Sequence, residues 1–245
     1  MTGPVTTTTR LVFPDQTNHH GTFFGGEALS MMASTAAIAA TRRARHPVVL
    51  VNSDSIDFVA PVPLGSIVET RSAVESVGRT SLVVGTTLEA EDLLTGSRVR
   101  ACNGRFVFVA VDEAGTPTPV PPVENDATEV AHGSETTETT ELVMPGISNP
   151  HGVLFGGELL RLLDAIAFIA ASRQMRIPLV TARSEQTDFH SEVAVGELIQ
   201  IRGGLTEART RSLVIDVDAT AENPLTGTTR PCTHARFVFA PTRAK

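Results

Sequence analysis

The chain has 245 residues, 41% hydrophobic and 19% charged, which excludes a disordered chain and allows one large domain or two of about 120 residues. Its 20 Lys and Arg against 27 Asp and Glu give a net charge of -7, without the basic footprint that nucleic acid demands. Cys102 and Cys232 are too few for a disulfide framework or a structural zinc site. The N-terminus lacks a signal-peptide pattern, and no apolar run approaches the roughly 18 residues of a membrane span, so a cytoplasmic enzyme or binding protein is expected.

In chain order, Leu11 to Phe13 reads as a short strand, followed by a loop, "NHHGTFF", and the pair Gly25-Gly26. A helix is expected over Glu27 to Arg45. Leu29, Met32, Ala36 and Ala39 recur at helical spacing, arginines fill the last turn where the dipole favours them, and Pro47 stops the run. Strands are expected at Val48 to Phe58, Ser66 to Val77, Thr80 to Ala90 and Arg98 to Val111, separated by "PVPLG", "VGRT" and "DLLTG". Residues 112–141 are rich in Pro, Thr and acid with almost no apolar pattern, which reads as a linker, extended at its proline-rich start.

The pattern then repeats. Asn18 aligns with Asn149, an offset of 131 (149 − 18 = 131). The same offset carries Gly25-Gly26 onto Gly156-Gly157, Asp57-Phe58 onto Asp188-Phe189, "LTG" at 94 onto 225 and "RFVF" at 105 onto 236. A register that holds this long marks a duplicated domain. The expected organisation is an N-terminal domain over 1–111, the linker over 112–141 and a C-terminal domain over 142–245. Within each, one long helix after a short strand and before a four-strand meander predicts an α+β fold, a curved antiparallel sheet wrapped around a central helix. The second strand and helix are expected at Leu142 to Met144 and Glu158 to Arg176.

The motifs "NHHGTFFGG", "DFVAPVPLG" and "VGRTS", with "NPHGVLFGGELLRLLD" and a degraded "HSEVAVG" in the second copy, resemble the tandem hotdog acyl-CoA thioesterases over nearly the whole chain. The resemblance implies two hotdog domains packed as an intramolecular pseudo-dimer, and hydrolysis of acyl-CoA to free CoA and a carboxylic acid. No metal or redox cofactor is implied, since coenzyme A is part of the substrate. A homotrimer of tandem chains is the implied assembly. The chain ends at Lys245, so no appended lipid-binding domain is expected.

The family pattern also places an acid on the helix some seven residues beyond the glycines. Here that acid is Asp164 in the second copy, and its counterpart in the first is Ala33. Thioester hydrolysis needs a base or nucleophile and donors for the oxyanion, and a glycine-opened helix N-terminus offers such donors. Asp164 lies about 12 Å along its helix from Gly156, too far to serve its own mouth. Antiparallel crossing of the two helices would instead join Asn18, Gly25 and Gly26 to Asp164 as one composite site. Asn149, Gly156 and Gly157 opposite Ala33 would form a degenerate one.

In this scheme Asn18 positions water or the thioester, although it could equally cap its loop, and the glycines could serve packing alone. Substrate placement would draw on His20, Phe58 and Pro61. CoA contacts would come from the turn Gly78, Arg79, Thr80 and Ser81 and its counterpart Arg211 and Ser212. The paired His19-His20 makes a poor metal site, so none is expected. Two other functions stay open. A hotdog enoyl-CoA hydratase or dehydratase would need a histidine on the active helix, where none occurs; a non-catalytic acyl-CoA-binding module would bind without releasing thiol.

Overall fold

A computed structural model describes residues 4–122, 136–185 and 187–242. The first copy comprises β1 (Thr6–Leu11), α1 (Gly25–Ala44), β2 (Val48–Phe58), β3 (Ile67–Val77), β4 (Ser81–Glu91) and β5 (Arg98–Ala110). The second comprises β6 (Thr137–Leu142), α2 (Gly156–Met175), β7 (Leu179–Ser184), β8 (Asp188–Phe189), β9 (Leu198–Arg209), β10 (Ser212–Glu222) and β11 (Thr229–Pro241). The antiparallel sheets run in the order β1-β3-β4-β5-β2 and β6-β9-β10-β11-β7, with β8 also paired to β11. Each sheet wraps its helix, so the expected pair of hotdog domains is what forms, each with its own apolar core.

The helices follow their sequence signals closely. Small residues, Ala28, Ala36, Ala39 and Ala40, face the first sheet beside Met31 and Met32, and all are buried. Such a face lets a curved sheet close tightly. Arg45 and Arg176 end the helices in the left-handed conformation (φ 54 and 53), ahead of Pro47 and Pro178.

The first strand of each copy departs from expectation. It lies on the threonine runs, Thr6–Leu11 and Thr137–Leu142, ahead of the apolar residues that seemed to mark it, and β6 falls within the stretch read as linker. Residues 123–135 of that linker lie outside the described residues; its start folds back on the first sheet, where Val120 N–H donates to the Arg79 carbonyl at 2.9 Å. Threonine suits a strand through its β-branch. Thr6, Thr7, Thr8 and Thr9 are all buried although they alternate between faces, so both sides of β1 are covered.

What covers them is the other copy. The Thr8 hydroxyl donates to the Thr140 carbonyl at 3.0 Å and Thr9 N–H to the Thr139 hydroxyl at 3.1 Å, while Thr35 on α1 donates to Thr8 Oγ1 at 3.1 Å. Arg10 forms a two-pronged pair with Glu141, at 3.0 and 2.5 Å, although these positions are equivalent under the repeat. Two identical chains meeting here would set like charges together; duplication allowed the signs to diverge.

Arginines late in each helix complete the interface. Arg173 reaches Glu69 (3.1 Å) and Glu91 (2.9 Å), Arg176 reaches Glu91 (2.7 Å), and Arg42 reaches Glu222 (2.5 Å). Burial pushes Glu91 up, but Arg173, Arg176 and Arg98 outweigh it and hold the carboxyl below its ordinary value. Gly96 and Gly227 turn with φ of 74 and 76 and sit under the guanidinium groups of Arg176 and Arg45, where a Cβ would lie 3.0 and 2.7 Å from them. The repeated "LTG" is therefore a shared docking turn for the opposite helix end.

Candidate active site

Each copy presents a mouth where its helix begins. In the first, the earliest intrahelical hydrogen bond runs from Ala28 N–H to the Phe24 carbonyl, so the amides of Gly25, Gly26 and Glu27 precede the ladder. A cavity of about 230 Å³ opens beside them, lined by Phe23, Gly25, Ala28, Phe58, Pro61 and Cys102. The second mouth has a cavity of about 190 Å³, with Gly156, Leu159, Phe189, His190, Glu192 and Cys232 in its wall. A Cβ on Gly25 would stand 3.5 Å from the Phe58 ring, in ordinary contact, whereas one on Gly26 would come within 2.7 Å of Phe24. Burial pushes the Cys102 thiol up to about 11, which leaves it an inert wall residue.

Asn18 builds the loop before this mouth. Its Oδ1 accepts from His20 N–H (2.9 Å) and Thr22 N–H (3.3 Å), and its Nδ2 donates to Thr22 Oγ1 (2.9 Å). Asn149 repeats the arrangement with His151 and Val153. Of the two roles open to Asn18, loop capping is the one these bonds express. His19 and His20 stack with centroids 3.8 Å apart at the exposed loop. Among the described residues no cluster of three His, Cys, Asp or Glu could hold a metal ion.

Asp164 is half-buried on α2 and accepts a hydrogen bond from Thr181 Oγ1 on β7 at 3.0 Å. Thr181 was missed by the sequence reading, yet it carried a signal: its counterpart in the first copy is Leu50, just as that of Asp164 is Ala33. Acid and hydroxyl change together.

The expected composite within the chain does not form. Asp164 is absent from the lining of the Gly25 cavity, and each cavity is walled by a single copy. The helical repeat gives the reason. Nine residues separate Asp164 from Arg173, about 900° of rotation, which places them on opposite faces of α2. Arg173 faces the first copy through Glu69 and Glu91, so Asp164 points away from it, towards β7. Ala33 and Arg42 stand in the same relation on α1. The copies meet through β1 and β6, which turns the acid face outward.

The two CoA-contact turns are likewise not at the mouths of their own copies. Gly78, Arg79 and Thr80 join β3 to β4 at the level of Val48, where β2 begins; Phe58 and the mouth lie at its end. Arg79 and Arg211 are exposed, and Ser81 and Ser212 half-buried. Phe58 and Pro61 do line the first cavity.

The thioesterase superfamily pattern matches residues 20–97 and 151–228, once in each copy. The crystal structure of an acyl-CoA hydrolase from Agrobacterium tumefaciens superposes with a TM-score of 0.87 at 33% identity, covering 99% of this chain and 98% of that one. The human cytosolic acyl coenzyme A thioester hydrolase is 25% identical over 86% of this chain and 67% of its own length. An uncharacterized acyl-CoA thioester hydrolase of Bacillus subtilis is 40% identical over 115 residues, 47% of this chain and 67% of that protein. The chain spans only 42% of the length of a further relative, mouse acyl-coenzyme A thioesterase 11. With the domain found twice and a solved relative matched end to end, the chain belongs to the thioesterase superfamily, among its tandem hotdog acyl-CoA thioester hydrolases.

Proposed function

We propose that the chain hydrolyses acyl-CoA thioesters, using Asp164 as its only acid of this kind and a glycine-opened helix start as its oxyanion donor. The observation that carries the reading is the hydrogen bond from Thr181 to Asp164, which fixes a carboxylate on the central helix where the other copy has Ala33 and Leu50. Asp164, as general base, takes a proton from water while the water oxygen attacks the thioester carbon. As nucleophile, its own oxygen attacks and water then cleaves the resulting anhydride. In either course the carbonyl oxygen gains negative charge that the free amides at a glycine-opened helix start stabilise. The carbon–sulfur bond breaks as that charge collapses, forming the acid directly in the base course and the anhydride in the nucleophile course, and the leaving sulfur takes a proton from Asp164 or from water to give CoA thiol.

Thr181 is a positioning residue that holds the carboxylate rotamer. Asn18 acts through the loop it braces, and the apolar wall of Phe23, Ala28 and Phe58 suits the acyl chain. Gly156 and Gly157 open the mouth that the repeat assigns to Ala33, and that mouth is read as degenerate. The reaction requires no metal or redox cofactor. A cytoplasmic location accords with the name of the human relative, and among the described residues no helix is long and apolar enough to cross a membrane.

A thiol-trapping assay over a panel of acyl-CoA chain lengths tests the reading. Stoichiometric thiol release is expected. Loss of enoyl-CoA absorbance without thiol would instead identify a hydratase, and tight binding with neither signal a binding module.

A further inference from the structure

We infer that the first mouth admits only short to medium, unsubstituted alkyl chains and that Ala28 sets their length, an inference that rests on reading that mouth as the one that receives the thioester. The repeat makes each mouth a control for the other. Gly25 and Gly156, Phe58 and Phe189, and Val62 and Val193 occupy matching places in the two walls. On the helix the floors differ: Ala28 of α1 has Leu159 as its counterpart on α2, and the two are 3% and 4% exposed. The second cavity is the smaller, about 190 against 230 Å³, even though Phe23 gives the first wall a larger side chain than Leu154 gives the second.

Packing of the fold does not account for the alanine. Where α1 is small so that the sheet can close, α2 is small as well: Ala36, Ala39 and Ala40 have Ala167, Ala170 and Ala171 as counterparts, all buried. At the position of Ala28 the second copy closes the same sheet around a leucine, so the fold accepts that bulk and the first copy leaves the space open. A methylene fills about 30 Å³, close to a water's share of liquid volume, so the first cavity holds about seven or eight carbons.

The rims differ in chemistry as the floors differ in size. At the first mouth Phe58 and Val59 are 54% and 63% exposed and are followed by Ala60 and Pro61, none with a side chain that can hydrogen-bond a substituent. At the second, His190, Ser191 and Glu192 follow Phe189. A hydroxyl on an acyl chain would exchange water for hydrocarbon at the first rim.

Thiol release over unbranched esters from acetyl- to palmitoyl-CoA, with hydroxylated esters of matched length, tests this. In the wild type kcat/KM should climb about fourfold per methylene, the worth of burying one, and stop rising beyond about eight carbons. A hydroxyl on the chain should lower it about tenfold. Ala28→Leu should bring the break about two carbons earlier, whereas Leu159→Ala, which enlarges the other mouth, should leave the profile unchanged. If melting shows that Ala28→Leu does not fold, Ala28→Val makes the same test with less bulk and should move the break by about one carbon. A profile that rises to palmitoyl-CoA, an unmoved break in a folded Ala28 variant, a break moved by Leu159→Ala, or hydroxylated esters cleaved as fast as plain ones overturns the inference with hydrolysis intact. No thiol from any ester overturns the thioesterase reading itself.

Discussion

The two copies share one backbone plan but have parted at three places. In the second, helix α2 carries Asp164, braced by Thr181, where the first has Ala33 and Leu50. Around the mouths, Val59, Ala60 and Pro61 in the first copy correspond to His190, Ser191 and Glu192 in the second, so the second mouth has become polar. Between the copies, Glu69 and Glu91 receive four arginines, Arg71 and Arg98 from their own copy and Arg173 and Arg176 from the other, whereas the counterpart cluster has Gln200 in place of Glu69 and, among the described residues, gathers Arg42 and Gln200 around Glu222. A duplicated domain bound by two-fold symmetry must repeat every side chain; a fused one need not. Here the fusion let one copy keep the acid and the other keep the apolar mouth.

Five substitutions probe that division. Asp164→Asn is expected to have the largest effect, a fall in kcat of about 10²–10⁴-fold, typical for a lost general base. Arg173→Ala leaves two buried acids short of a partner and should cost about 3 kcal/mol in urea unfolding. Arg42→Ala should cost less, about 1–2 kcal/mol, because Gln200 still donates to Glu222. Glu91, held below its ordinary value, contributes stability that is whole above about pH 4.5 and is lost as pH falls through its folded value. The gap between wild type and Arg173→Ala should therefore shrink in melts below that pH. Thr181→Val frees the Asp164 rotamer and should lower kcat about tenfold with KM little changed, since one such hydrogen bond is worth about 1 kcal/mol. Smallest is Ala33→Asp, which restores an acid without its threonine and should raise turnover by at most about twofold, or not at all.

Much of this was legible in the sequence. The helices and the long meander strands fall within a residue or two of their periodic patterns, and the offset of 131 exposed both the duplication and the asymmetry of Ala33 and Asp164. The threonine strands were not legible, because apolar alternation marks a strand with one wet face. Thr6–Leu11 and Thr137–Leu142 are instead buried between copies, with hydroxyls bonded across the interface. That same omission hid which faces meet. With β1 and β6 taken as linker or tail, the helices seemed free to cross acid to mouth. The nine-residue spacing of Asp164 and Arg173 was present throughout, but its meaning depended on Arg173 finding Glu69 and Glu91 across the interface, pairs separated by over a hundred and by 82 residues.

The most direct measurement is thiol release by wild type and Asp164→Asn in single turnover, enzyme in excess, with thermal melts of both. Matching melts with release slowed at least a hundredfold in the variant are expected if the chemistry resides on the second copy's helix. Release at the wild-type rate would contradict it and move the reactive group elsewhere.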